Sequence, residues 1–192
     1  MLTQNGLSGL LDMLDASPWG ASTGRSGGKR RVRPSIQPSL YTAEERLRRD
    51  ASPWTVVQGV LAPIQFAVFL VSLGLVLSYL ATGDGLAAAT ASVVLKTVVL
   101  YTIMITGSIW EKEVFGRWLF APAFWWEDVF SMLVLALHTA YLVAVFAGIG
   151  DGVGQMWLAL AAYAAYVVNA AQFVLKLRAA RRAEARGMTA AA

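Results

Sequence analysis

The sequence predicts an all-α integral membrane protein: a four-transmembrane-helix bundle with both termini cytoplasmic and a basic, disordered N-terminal arm. Three observations predict it. The chain is 57% hydrophobic and 15% charged, with a mean hydropathy of +0.55, too apolar for the polar surface an ordinary soluble domain requires. Four segments each supply the roughly 20 apolar residues that a bilayer crossing needs. Lysine and arginine gather on alternate connections, the pattern that sets membrane orientation.

Residues 1–40 are dominated by Gly, Ser, Pro and Arg. That composition predicts a disordered arm lying along anionic lipid head groups. Leu7, Leu10, Leu11 and Leu14 stand at helical spacing and predict a short interfacial helix within it. The pentapeptide at 15–19 recurs at 50–54 without an evident function. Residues 1–20 lack the charged-then-apolar layout of a signal peptide. Residues 41–53 predict an amphipathic interfacial helix, with Thr42 as N-cap and Glu45 completing a capping box.

Residues 54–178 form the expected transmembrane domain, with spans at about 54–81, 86–110, 127–148 and 153–176. Short Gly–Asp connections at 82–85 and 148–152 make each pair of spans an antiparallel hairpin. Eight Lys and Arg precede Pro53, Lys112 and Arg117 lie in the middle connection, and five follow from Lys176 to Arg186. The two short connections carry none, so both termini and the middle connection are expected on the cytoplasmic side. Residues 179–192 complete the chain as a basic cytoplasmic tail.

The composition also excludes chemistry. Cysteine is absent, which removes disulfides, thiolate catalysis and Cys-based metal sites. The lone histidine, His138, removes multi-histidine metal centres. The net charge of +4 lies beside membrane spans, where orientation explains it without nucleic acid.

Polar residues inside a span are costly and each needs a reason. Gln58, Gln65, Ser72 and Tyr79 recur every seven residues on one face of the first span, and Pro63 loosens its backbone nearby. Gln65, Lys96 and His138 all fall roughly 16–21 Å from the cytoplasmic surface at 1.5 Å per residue. They form one expected mid-membrane layer. It reads either as interhelical glue or as a wet pocket with Lys96 as a charge and His138 as proton carrier or magnesium ligand. Asn169 and Gln172 lie nearer the cytoplasmic face, able to hydrogen-bond a substrate edge or each other's helices.

The connection at 110–128 holds four of the seven tryptophans and four of the twelve carboxylates. Glu127 and Asp128 open the third span, where a helix dipole alone explains acids. Beside Trp125 and Trp126, however, burial and mutual repulsion favour one of the two keeping its proton, an acid able to donate near neutral pH. Glu127 and His138 are 11 residues apart, on nearly one face about three turns apart. Glu111 and Glu113 point oppositely if the second span continues that far, so at most one faces a pocket. Lys112 and Arg117 can bind a carboxylate of an anionic amphiphile. The plain alternative is a salt-bridged interfacial loop with an aromatic belt.

Residues 101–132, YTIMITGSIWEKEVFGRWLFAPAFWWEDVFSM, closely resemble the 3-vinyl bacteriochlorophyllide hydratase family of bacteriochlorophyll biosynthesis. The resemblance extends over LYTAEER at 40–46, WTVVQGVLAP at 54–63, LHTAYL at 137–142 and NAAQFVLKLR at 169–178. It covers nearly everything after the arm; residues 1–39 look like an extension.

The resemblance implies a hydro-lyase of the bacterial inner or intracytoplasmic photosynthetic membrane. It would add water across the 3-vinyl group of chlorophyllide a or a bacteriochlorophyllide precursor. The partners it implies are a Mg-tetrapyrrole, water, membrane lipid, and association with other bacteriochlorophyll-synthesis or photosynthetic membrane proteins. No protein cofactor is expected, because the magnesium belongs to the tetrapyrrole.

Vinyl hydration begins with protonation of the terminal carbon and ends with water captured by the resulting cation, so one acid and one base suffice. Glu127 or Asp128 is the expected acid, with the other carboxylate or His138 as base. Trp110, Trp118, Phe124, Trp125 and Trp126 supply expected flat contact area, Lys112 or Arg117 the propionate partner, and Lys96 and Asn169 further expected substrate contacts. A non-catalytic pigment-binding subunit with His138 on magnesium is the alternative. A small transporter is disfavoured by the lack of an evident internal repeat.

Overall fold

The structure is a computed structural model that describes residues 40–190. The expected arm, its leucine stretch and the first copy of the pentapeptide lie outside the described residues. The described chain holds five helices: α1 (Ala43–Ala51), α2 (Pro53–Thr82), α3 (Leu86–Phe115), α4 (Trp125–Phe146) and α5 (Gly152–Ala190). Among the described residues there is no strand. Helices α2 to α5 are each long and apolar enough to cross a membrane, the architecture of a multi-pass membrane protein.

The local rules that start and stop these helices are visible in the side chains. The Thr42 backbone N–H donates to Glu45 Oε2 at 2.7 Å, and Glu45 N–H donates to Thr42 Oγ1 at 3.2 Å. That reciprocal box satisfies two donors that a helix start otherwise leaves unpaired. Proline at 53 keeps Ser52 extended, which ends α1 and opens α2 with Pro at its first turn. α2 then runs through Pro63. Gly116 ends α3 in the left-handed region (φ 76°), its N–H donating to Lys112 O.

Each helix hairpin packs mainly on itself, α2 along α3 and α4 along α5, and α1 lies against α3. At the closed ends, Gly152 admits a close approach: a Cβ there would lie 2.8 Å from the Tyr79 hydroxyl. The core is built of Phe69, Val76, Val93, Leu100, Val134, Tyr141, Met156 and Tyr163, with alanines where the helices come closest. Only 22–28% of the most apolar window of each spanning helix is buried, so the larger apolar surface faces outward, as lipid requires.

The stripe at 58, 65, 72 and 79 turns inward. Gln58 Nε2 donates to Thr106 Oγ1 at 2.7 Å, Gln65 is buried, and Ser72 shares hydrogen bonds with Tyr163 (2.5 Å) and Ser92 (2.7 Å). The bonds made by Gln58 and Ser72 keep those polar groups out of lipid.

Candidate active site

The site forms where α3 and α4 meet the connection between them. Because α3 continues to Phe115, Glu111 and Glu113 both lie on helix and face different ways. Glu113 accepts from the Ser52 hydroxyl, tying α3 to the α1–α2 corner. Glu111 turns inward and is buried, as are Glu127 and Asp128 in the first turn of α4.

The carboxyl groups of Glu111 and Asp128 are close neighbours that interact directly. They attract each other only when one keeps its proton, since two carboxylates are acceptors only. A backbone donor holds the pair from outside: Phe120 N–H donates to Asp128 Oδ2 at 2.8 Å, and the Ala121 backbone lies near Glu111. Phe120 achieves this at φ 60°, the sole left-handed non-glycine residue among those described. One oxygen of the cluster, Glu111 Oε2, is buried with no hydrogen-bond partner.

Glu127 is spent differently. Lys176, from α5, donates to Glu127 Oε2 at 2.6 Å and lies 4.9 Å from the centre of the Phe124 ring. One turn further into α4, Asn169 Nδ2 donates to Ser131 Oγ at 2.8 Å. About three turns in, His138 is fully buried. Its Nδ1–H donates to Val134 O at 2.7 Å, which leaves Nε2 to accept from Lys96 Nζ at 2.8 Å. Lys96 is also fully buried and lies 4.1 Å from the centre of the Tyr166 ring, a cation–π contact away from solvent. Of the three residues expected in one polar layer, Lys96 and His138 pair beside Tyr163 and Tyr166, and Gln65 is buried without a bond to either.

The aromatic residues divide into two sets. Trp110 and Phe124 pack with Tyr41, Phe115 and Phe173 in an inner cluster, where ring centroids lie 5.7–5.8 Å apart around Trp110, Phe115 and Phe124. The Trp110 indole N–H donates to Thr55 Oγ1 at 2.9 Å. Trp118, Trp125 and Trp126 are exposed, with Trp125 and Trp126 in edge-to-face contact at 5.0 Å. Lys112 Nζ donates to Gly116 O at 3.0 Å beside Trp118, and Arg117 is exposed.

Of the residues expected from sequence, Asp128, Trp118, Trp125, Trp126, Lys112 and Arg117 thus stand at one end of the bundle near the acid pair. Lys96 and His138 stand apart from it. Sequence reasoning left Glu111 as one of two alternatives and overlooked Lys176, Tyr163, Tyr166 and the Phe120 amide. Helix periodicity separates Glu111 from Glu113 but does not say which faces in. A backbone amide carries no signal in a side-chain pattern.

Residues 41–179 match the family model described as 2-vinyl bacteriochlorophyllide hydratase (BCHF). A protein of Cereibacter sphaeroides named 2-vinyl bacteriochlorophyllide hydratase is 69% identical over 142 residues, 74% of this chain and 88% of that protein. A Rhodobacter capsulatus protein of the same name is 65% identical over 143 residues, 74% of this chain and 83% of its own length. These names differ from the sequence expectation only in numbering the vinyl group 2 rather than 3. No solved structure matches the chain. With the match running from the α1 cap through α4 and well into α5, the chain belongs to the 2-vinyl bacteriochlorophyllide hydratase family.

Proposed function

We propose that this protein hydrates the 3-vinyl group of chlorophyllide a, or of a bacteriochlorophyllide precursor, to a 1-hydroxyethyl group, with the Glu111–Asp128 pair as the proton source. The observation that carries this reading is a buried pair of neighbouring acids, one of them bonded to the Phe120 N–H, beside exposed tryptophans.

The chemistry follows from what the pair offers. A proton moves from the pair to the terminal vinyl carbon, whose π electrons form the new C–H bond. The adjacent carbon becomes a cation delocalised into the macrocycle. Water attacks that carbon, and the proton it loses returns to the carboxylate just vacated, so the pair is restored and one water is consumed. Glu127, an anion held by Lys176, lies next in sequence to Asp128 and lowers the energy of the passing cation. The base role goes to the carboxylate rather than His138, because both His138 nitrogens are already engaged. The reaction takes only an acid and a base from the protein, and the magnesium is the substrate's own.

Trp118, Trp125 and Trp126 offer flat contact area on the open side, and Arg117 or Lys112 pairs with a propionate. We place the site at the cytoplasmic face of the bacterial inner or intracytoplasmic membrane, where a flat amphiphile reaches it from either phase. The pigment-subunit reading needs a free His138 nitrogen for magnesium, and the hydrogen bonds of that ring weigh against it.

The test is to incubate membranes carrying the chain with chlorophyllide a and follow the absorption shift caused by loss of vinyl conjugation. Wild type should convert the pigment, and Glu111→Gln with Asp128→Asn should not. Stoichiometric pigment retained but never converted would instead support the subunit reading.

A further inference from the structure

Phe120 occupies a backbone conformation that glycine would adopt without steric cost. Its N–H bond to Asp128 explains the turn but not the side chain, because a glycine would supply the same N–H. A phenyl ring retained at such a position calls for a use. The aromatic belt does not provide one: tryptophan and tyrosine favour the interface for their polar edges, which phenylalanine lacks.

The ring is 37% exposed and its centroid lies 6.3 Å from that of Trp125. Trp126 stands perpendicular to Trp125, at 87° and 5.0 Å. Phe120, Trp125 and Trp126 thus form a stepped, open aromatic ledge whose first member is bonded through its own backbone to the acid pair. In the acid pair itself, Glu111 Oε2 is buried with no hydrogen-bond partner.

Resting on the hydratase reading above, we infer that the Phe120 ring is a substrate-positioning contact: it seats the vinyl-bearing edge of the macrocycle against the acid pair. The left-handed turn couples two tasks, since one residue both orients Asp128 through its N–H and places a flat apolar surface next to it. A second aromatic wall on one side of a planar ring favours stacking over the free rotation that open lipid allows.

Three variants in the full chain test this in membranes, by vinyl hydration kinetics and thermal unfolding. Phe120→Gly keeps the N–H and relieves the backbone, so it should unfold no earlier than wild type while KM for chlorophyllide a rises roughly three- to tenfold. Phe120→Leu, apolar but not flat, should raise KM similarly, and Phe120→Tyr should restore it. Unchanged KM in both the Gly and Leu variants would overturn the proposal. A fall in kcat with KM unchanged would also overturn it, reducing Phe120 to a support for Asp128. If wild type itself hydrates no vinyl substrate, the hydratase reading fails on its own. Quenching of tryptophan fluorescence by chlorophyllide then still shows whether the Gly variant binds more weakly, and equal quenching sinks the ledge.

Discussion

Two buried polar clusters lie along α4, and they use burial in opposite ways. Lys96 and His138 are closed: both imidazole nitrogens are bonded, the ammonium rests on Tyr166, and neither residue has exposed surface. Glu111 and Asp128 are buried too, yet Glu111 Oε2 has no hydrogen-bond partner, and a left-handed turn holds Asp128 beside exposed aromatics. The difference teaches that burial of a charged group does not mark a site in a membrane bundle. Unspent hydrogen-bonding capacity next to open surface does. The deep pair reads as interhelical glue, and the shallow pair as chemistry.

The comparison breaks most decisively at the acid pair. Replacing both Glu111 and Asp128 by their amides should lower hydration by about 10²–10⁴-fold, the usual worth of a positioned acid. Membrane insertion and helix content should remain, as checked by circular dichroism. Wild-type activity in that double variant would transfer the proton donor elsewhere.

A next smaller effect is expected at the deep pair, and in stability rather than turnover. His138→Leu leaves Lys96 without its acceptor and should cost about 1.5–3 kcal/mol, the range for hydrogen bonds to charged groups. Adding Lys96→Met should recover much of that loss, because an apolar pair leaves nothing unsatisfied. Activity per folded molecule should stay near wild type in the double variant, and a collapse of kcat there would make the deep pair catalytic.

Lys176→Met comes third. It strands Glu127, whose side chain is 8% exposed, while Lys176 itself is 27% exposed. A stability loss of about 1–2 kcal/mol is expected for a half-buried pair, below the 3–5 of a fully buried one, together with a lower kcat as Glu127 loses its fixed position.

Asn169→Ala should matter least. It removes the Asn169–Ser131 bond lying between the two clusters in α4's sequence. If the clusters are independent, kcat should change less than about twofold and stability by about 1 kcal/mol, the net value of one neutral hydrogen bond. A large loss of kcat would instead join the two into one relay.

Much of this was legible beforehand. The four spanning helices follow from hydropathy, and the Thr42–Glu45 box stands where its residue types require it, while α3 runs past its expected end near 110 to Phe115. Lys96 and His138 share a level because helix rise is constant, so counting residues from one surface places both. The acid site was only half legible. Asp128 stands out as an acid among tryptophans, but its natural companion by adjacency, Glu127, proves to be held by Lys176. Trp110 and Phe124, expected against the substrate, pack among Tyr41, Phe115 and Phe173, because ring type alone does not distinguish a wall from a core.

By itself the sequence determined what depends on local rules and on the solvent: where the four apolar spans lie, the Thr42–Glu45 cap, the apolar outward faces, and the family whose motifs run through residues 41–179. Bilayer thickness and the 3.6-residue period act within one segment, so they can be read along one segment. Only the tertiary structure decided which acid lies against Asp128, which cation holds Glu127, and that a strained turn brings a backbone amide to Asp128. Those partners come from other helices and from the backbone. Which faces of those helices meet is set by packing across the bundle, which no single segment encodes.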